Sequence, residues 1–114
     1  MIELKHAVKL DNLSPQIVLA IVVAAGLIRR YSIEPCVVTS VNDSRHRIGS
    51  LHYQGRAVDL RTRHLNRSEA ESFADEVRDC LGPDFDVILE WNPPHLHIEY
   101  DPKPPKGIDA DDAA

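Results

Sequence analysis

Two hydrophobic periods organise this chain. The longest apolar stretch runs from Ile17 to Ile28, twelve residues without a charge. It falls short of the ~20 residues that span a bilayer. Ser14 suits a helix cap and Pro15 suits a first helical turn, so residues 15–30 are expected to form a buried core helix. Cys36 to Val41 follows Pro35 and is rich in β-branched side chains, which predicts a strand. Residues 42–51 are polar and predict a loop. From Arg56 to Thr62 the period is two, with Ala57, Asp59 and Arg61 on one face and Val58, Leu60 and Thr62 on the other. Ser68-x-x-Glu71 matches a capping box and predicts the start of a second helix. Its apolar stripe is Ala70, Phe73, Ala74, Val77 and Leu81, and Gly82-Pro83 stops it. Phe85 to Trp91 and His95 to Tyr100 predict two strands joined by a turn at Asn92-Pro93-Pro94. Met1 to Leu10 predicts a short strand or an arm. The class expected is α+β, a small and mostly antiparallel sheet packed against two main helices.

Composition narrows the range. The chain has 114 residues, 43% hydrophobic and 27% charged, which fits one globular domain. Residues 1–106 are read as that domain and 107–114 as an acidic flexible tail. The net charge of −5 argues against binding nucleic acid through its phosphates. The acids Glu3 and Asp11 before the apolar stretch, and Arg29 and Arg30 after it, do not suit a signal peptide. No membrane insertion is expected, and synthesis in the cytoplasm is. Cys36 and Cys80 lack a second Cys or His at ligand spacing, and two buried free thiols are expected.

Candidate chemistry gathers in two segments. The first is Ser50-Leu51-His52-Tyr53-Gln54-Gly55-Arg56-Ala57-Val58-Asp59. The second is Glu90-Trp91-Asn92-Pro93-Pro94-His95-Leu96-His97. A catalytic zinc site needs three N or O ligands, an open position for water, and a base beside that water. Gly55 permits a sharp turn between His52 and Asp59. Strand alternation places His95, His97 and Glu99 on one face, and a hairpin brings Glu90 back beside His95 or His97. One strand pair can therefore deliver a ligand, a second imidazole and a carboxylate to one spot.

The pattern Ser-x-His-x-x-Gly-x-Ala-x-Asp, followed downstream by Glu and His-x-His, resembles the zinc D-Ala-D-Ala peptidases of bacterial cell walls and their phages. The wording of residues 50–59 is closer still to the hedgehog signalling domain, which shares that peptidase fold, with about one change. The resemblance covers roughly residues 14–100. It implies one zinc ion held by His52, Asp59 and His97, with Glu90 as general base. It also implies His95 as an active-site residue that steadies the developing oxyanion, and His46 as an accessory site residue. The implied substrate is a peptidoglycan stem peptide containing D-Ala, cut by a carboxypeptidase or an endopeptidase. A bacterial or phage origin and action at the cell wall follow from the same resemblance.

Two departures bear on this reading. Hedgehog has one residue fewer between its acid and its His-x-His, and the extra residue falls at Pro93-Pro94. Hedgehog also carries an acidic calcium cluster before this segment, where Asn42-Asp43-Ser44-Arg45-His46-Arg47 has one acid among two arginines, so a calcium site is not supported. Arg45, Arg47, Arg56 and Arg61 are candidates for holding a substrate carboxylate, and Tyr53 and Trp91 for lining a pocket. Glu99 is either a partner of the histidines or solvent-facing. His6 and His64 have no partners in sequence and are read as surface residues. The alternatives to an enzyme are a non-catalytic zinc-bearing module of hedgehog type and a metal-free interaction domain.

Overall fold

The computed structural model describes residues 1–10, 12–41 and 55–103. Strand β1 (Ile2–Leu4) precedes helix α1 (Pro15–Ile28), followed by strands β2 (Cys36–Val41) and β3 (Ala57–Arg61), helix α2 (Arg67–Leu81), and strands β4 (Phe85–Trp91) and β5 (Pro94–Tyr100). The protein is α+β. Its strands form one sheet in the order β1-β2-β3-β5-β4. Only the β1–β2 pair is parallel, and α1 forms the crossover between its strands. The other pairs are antiparallel, as the short turn at Asn92-Pro93-Pro94 led us to expect. No helix among the described residues is long and apolar enough to cross a membrane.

The period-two pattern divides the sheet into two unlike faces. Val58 and Leu60 of β3 lie across from Ile98 and Leu96 of β5, and all four are at most 1% exposed. With Val38 and Val87 they join Ile17, Ile21, Ala24 and Ile28 of α1 and Ala70, Phe73, Ala74 and Val77 of α2 in one core cluster. Burying each large aliphatic side chain contributes about 1.5–3 kcal/mol. An exposed ion pair such as Arg30–Glu76, at 3.0 Å, contributes up to about 1 kcal/mol. Apolar packing therefore decides where the helices sit, and Tyr31, edge-on to Phe73 and bonded to Glu76, trims their contact.

Three details differ from the sequence pattern. Helix α1 is only half buried: Val18, Leu19 and Val22 face outward at 46–57% exposure, because the sheet covers one side of a helix that is apolar all round. Helix α2 starts one turn-fraction earlier than Ser68, at a capping box formed by Asn66 and Glu69. Asn66 accepts from the Glu69 amide at 2.8 Å and Glu69 accepts from the Asn66 amide at 2.9 Å, so the reciprocal pair satisfies two otherwise orphaned donors. Cys36 is a buried free thiol as expected, but Cys80 is free and exposed, since it lies off the buried stripe of α2.

Gly55 earns its place in the motif through its backbone. Its φ is +76°, and a Cβ there would collide with the carbonyl oxygen of Asn12. Its own carbonyl accepts from Ser14 N at 3.0 Å, which ties the start of β3 to the start of α1. Gly55→Ala is expected to destabilise the protein by about 1–3 kcal/mol or more. Gly26→Ala, on an exposed helical position with open space around it, is expected to stabilise it by about 0.5–1 kcal/mol. Urea denaturation of both variants measures the contrast.

Candidate functional site

Three rows of side chains cross the face of the sheet that the helices leave open. Asp59 pairs with His97, and His97 with Ile88 of β4. One row along, Arg61 pairs with His95, and His95 with Glu90. In the other direction Ala57 pairs with Glu99, and Glu99 with Asp86. Strand alternation thus delivers Asp59, His97, His95, Glu90 and Glu99 to one face, as the spacing predicted.

The centre of this face is a charged pair. His97 Nδ1 lies 2.6 Å from Asp59 Oδ1, and His97 Nε2 lies 2.7 Å from Glu99 Oε1. The His97 side chain is 6% exposed, so both contacts act in a medium of low dielectric. Burial works against the charged imidazole, but the hydrogen bonds to Asp59 and Glu99, reinforced by their charges, outweigh it and hold the pKa up to about 9. Both ring N–H groups then donate to carboxylates.

Beside this pair lies a second one. His95 Nδ1 is 2.7 Å from the carbonyl oxygen of Pro93, an acceptor only, so Nδ1 carries a proton and donates it. His95 Nε2 is 3.1 Å from Glu90 Oε1 and 4.0 Å from Asp59 Oδ1. Glu90 is 40% exposed against 12% for His95, so the carboxylate meets solvent and the imidazole stands behind it.

A β-bulge shapes the remaining wall. The β2–β3 register shifts between Val38 and Ser40, and Thr39 Oγ1 donates to the Asp59 carbonyl at 3.3 Å. Neighbouring strand residues normally face opposite ways, yet Thr39 and Ser40 both line the same cleft as Asp59, Glu90 and His95. The bulge accounts for this. The cleft has a volume of about 410 Å³, within the usual range for small-molecule sites.

Asp59 Oδ1 and His97 Nδ1 offer an oxygen and a nitrogen donor side by side, a combination suited to zinc. Glu99 on the far ring nitrogen provides the orienting carboxylate that metal-binding histidines usually have. The donor chemistry of these residues fits a zinc ion. Among the described residues no group of three His, Cys, Asp or Glu is placed to hold a metal. His52, the third ligand expected, lies outside the described residues, as do His46, Arg45, Arg47, Tyr53 and the tail at 107–114.

Of the other candidates, Arg61 lines the cleft. Arg56 stacks over Tyr100 at 5.6 Å instead. Trp91 follows Glu90 and so faces the α2 side, where Arg67 covers its ring at 4.9 Å and it borders a separate hollow with Ala74 and Arg78. His6 is exposed as expected, but His64 is half-buried, with both ring nitrogens shut off from water and without a hydrogen-bond partner. The turn that buries Leu65 draws it inward. Lys5 and Arg63 also line the cleft, although the sequence pattern did not single them out. Arg63 is two residues beyond Arg61, a signal within reach, whereas Lys5 arrives through the non-local pairing of β1 with β2.

No family model matches this chain, and no curated protein matches it.

The raised pKa of His97 sets a pH dependence for the metal-free protein. A group whose folded pKa exceeds its unfolded value of about 6.5 stabilises the fold below that value and ceases to as pH rises through its folded pKa. With a chelator present, the denaturation midpoint is expected to fall between pH 6.5 and about 9. His97→Gln should flatten that fall, which urea titrations across the range would measure.

Proposed function

We propose that this chain is a zinc-dependent peptidase that hydrolyses peptide bonds of bacterial cell-wall peptidoglycan stems. The observation that carries the reading is the placement of the Glu90–His95 pair one row from the Asp59–His97 pair on the open face of the sheet. The likeness of residues 50–59 and 90–97 to the zinc D-Ala-D-Ala peptidases and the hedgehog domain supplies the substrate class and the third ligand, His52. The α+β architecture is compatible with that likeness.

Asp59 and His97, with His52, would hold the metal. Bound zinc would supply Lewis acidity towards a peptide carbonyl and towards water. The protein's own groups do the proton handling. Glu90, exposed to solvent in the cleft, takes the proton of the attacking water and returns it to the leaving amine. His95 steadies Glu90 through Nε2. When protonated there, it donates to a developing oxyanion, while the Pro93 carbonyl fixes its ring. Glu99 keeps His97 in one orientation.

Glu90→Gln is expected to retain zinc and to lose hydrolysis by roughly 10²–10⁴-fold, the usual contribution of a general base. His52→Ala is expected to lose zinc, measured as metal per chain. Peptide release from purified peptidoglycan, with and without a chelator, tests the activity itself. No release from any wall preparation would favour a non-catalytic binding module, and chelator-insensitive release would remove zinc from the chemistry. Unchanged hydrolysis in Glu90→Gln would remove Glu90 from the role of base.

A further inference from the structure

β4 is the last strand of the sheet, and its neighbour shows which of its backbone groups face outward. The Pro94 carbonyl accepts from Thr62 N, and Tyr100 N donates to the Arg56 carbonyl. The even-numbered residues of β5 therefore turn their backbone groups towards β3. Residues paired across an antiparallel ladder either exchange both of their bonds or turn both away, in alternation. His95, His97 and Glu99 thus bond their partners Glu90, Ile88 and Asp86, and Phe85, Val87, Leu89 and Trp91 turn their groups to the free edge. The Phe85 N–H is taken by the Gly82 carbonyl, and the Val87 carbonyl by Arg78 Nε at 3.0 Å. Among the described residues nothing bonds the N–H or the carbonyl of Leu89.

This edge borders a hollow of about 640 Å³, with Val87, Leu89 and Trp91 on one side and Glu71, Asp75 and Arg78 of α2 on the other. It shares no lining residue with the cleft of the candidate centre. An open strand edge beside a helix is a place where an extended peptide adds as a further strand. Main-chain bonds then give affinity and alternate side chains give specificity. Charge selects the occupant. Asp79 continues the row of Glu71 and Asp75 at the next i,i+4 step of α2. Arg78 is engaged by Asp75 at 2.6 Å and by Val87. The exposed Arg67–Glu71 contact, at 3.6 Å, is of a kind worth little against an incoming cation. A second copy of this chain, itself of net charge −5, would set a second row of acids beside the first, so self-pairing through β4 is disfavoured.

We propose that the β4 edge and the acidic side of α2 form a docking groove for an extended basic segment of a partner protein, added antiparallel to β4. Residues of that segment opposite Val87, Leu89 and Trp91 share their face of the sheet, so these positions take Lys or Arg, towards α2. The residue opposite Ile88, which is 48% exposed, is apolar. Arg78 guards the edge by covering one carbonyl and leaves Leu89 for the incoming strand. The groove lies outside the cleft, so the proposal does not depend on the peptidase reading.

The probe is the peptide acetyl-Lys-Val-Lys-Val-Lys-amide, titrated into the full chain by calorimetry. Trp91 is the sole tryptophan and borders the hollow, so its emission reports occupancy there. The peptide is expected to shift that emission and to bind about 5-fold tighter or more than its Glu-Val-Glu-Val-Glu counterpart, the worth of a few exposed ion pairs. In Glu71→Gln/Asp75→Asn, exposed substitutions whose folding is checked by thermal unfolding, the preference should shrink to about 2-fold or less. N-methylation of the lysine amides, which face β4 in an antiparallel addition, should weaken binding by about 10-fold or more through lost main-chain bonds. N-methylation of the valine amides, which face away, should be tolerated. Equal effects of the two methylations overturn strand addition, and equal binding of the Lys and Glu peptides overturns the choice of a basic partner. A preference that survives the double substitution, or binding without a change in Trp91 emission, overturns the placement. A dimer in sedimentation that Glu71→Lys/Asp75→Lys strengthens, with no binding of the Lys peptide, would assign the edge to a second copy instead.

Discussion

The antiparallel pairing of β3 with β5 is the constraint on which the remaining structure hangs. It sets Asp59 across from His97 and, in the same register, Leu60 across from Leu96. The first pair faces the cleft and the second faces the helices, so one ladder of hydrogen bonds fixes both the core and the polar centre. Displacing the ladder by a single residue would exchange the two faces. Charged groups would then enter the core, and four fully buried aliphatic side chains would meet water, at about 1.5–3 kcal/mol each. The core therefore enforces the register that the candidate site requires.

The polar centre itself adds little to stability. Taking Asp59 and His97 out of water costs several kcal/mol per ion, and their attraction offsets this only when the remaining polar atoms are also satisfied. On the His97 side they are, since Glu99 takes its second nitrogen. Such an arrangement favours a fixed geometry over a large gain in stability. A fixed geometry is what proton transfer and metal binding demand, since groups already in place need no reorganisation during the reaction. In the proposed peptidase, the rigidity lies in the sheet and the chemistry in side chains projecting from it.

Much of this was legible in the sequence because it depends on local period. β2 and β4 have the predicted limits, and the hairpin at Asn92-Pro93-Pro94 returns Glu90 to His95 as the alternation requires. Glu99 fell on the right face, but choosing between His97 and solvent needed the distance. The capping box was displaced because two overlapping candidates, Asn66-x-x-Glu69 and Ser68-x-x-Glu71, satisfy the same rule, and only the packing of α2 selects between them. The outward face of α1 was hidden by a different cause: an all-apolar helix carries no periodic mark of which side meets the sheet. The cationic wall was partly invisible because Lys5 reaches it through a parallel pairing across the whole of α1. Thr39 and Ser40 share the cleft through a bulge that no run of residue types announces.

The alternation of β5 has a consequence for how such a chain can vary in length. One residue inserted between His95 and His97 would rotate everything beyond it by half a turn of the pleat, and Ile98 and Glu99 would trade places. An insertion within that strand must come in pairs or be absorbed by a bulge of the kind seen between Val38 and Ser40. The turn at Asn92-Pro93, between the Trp91–Pro94 pair, is free of this parity, because a loop can gain one residue and still return the strand in the same phase. The segment that separates Glu90 from His95 passes through that turn. The segment between the two chemical motifs thus behaves like a hinge pin of adjustable length set between two parts whose teeth must always mesh.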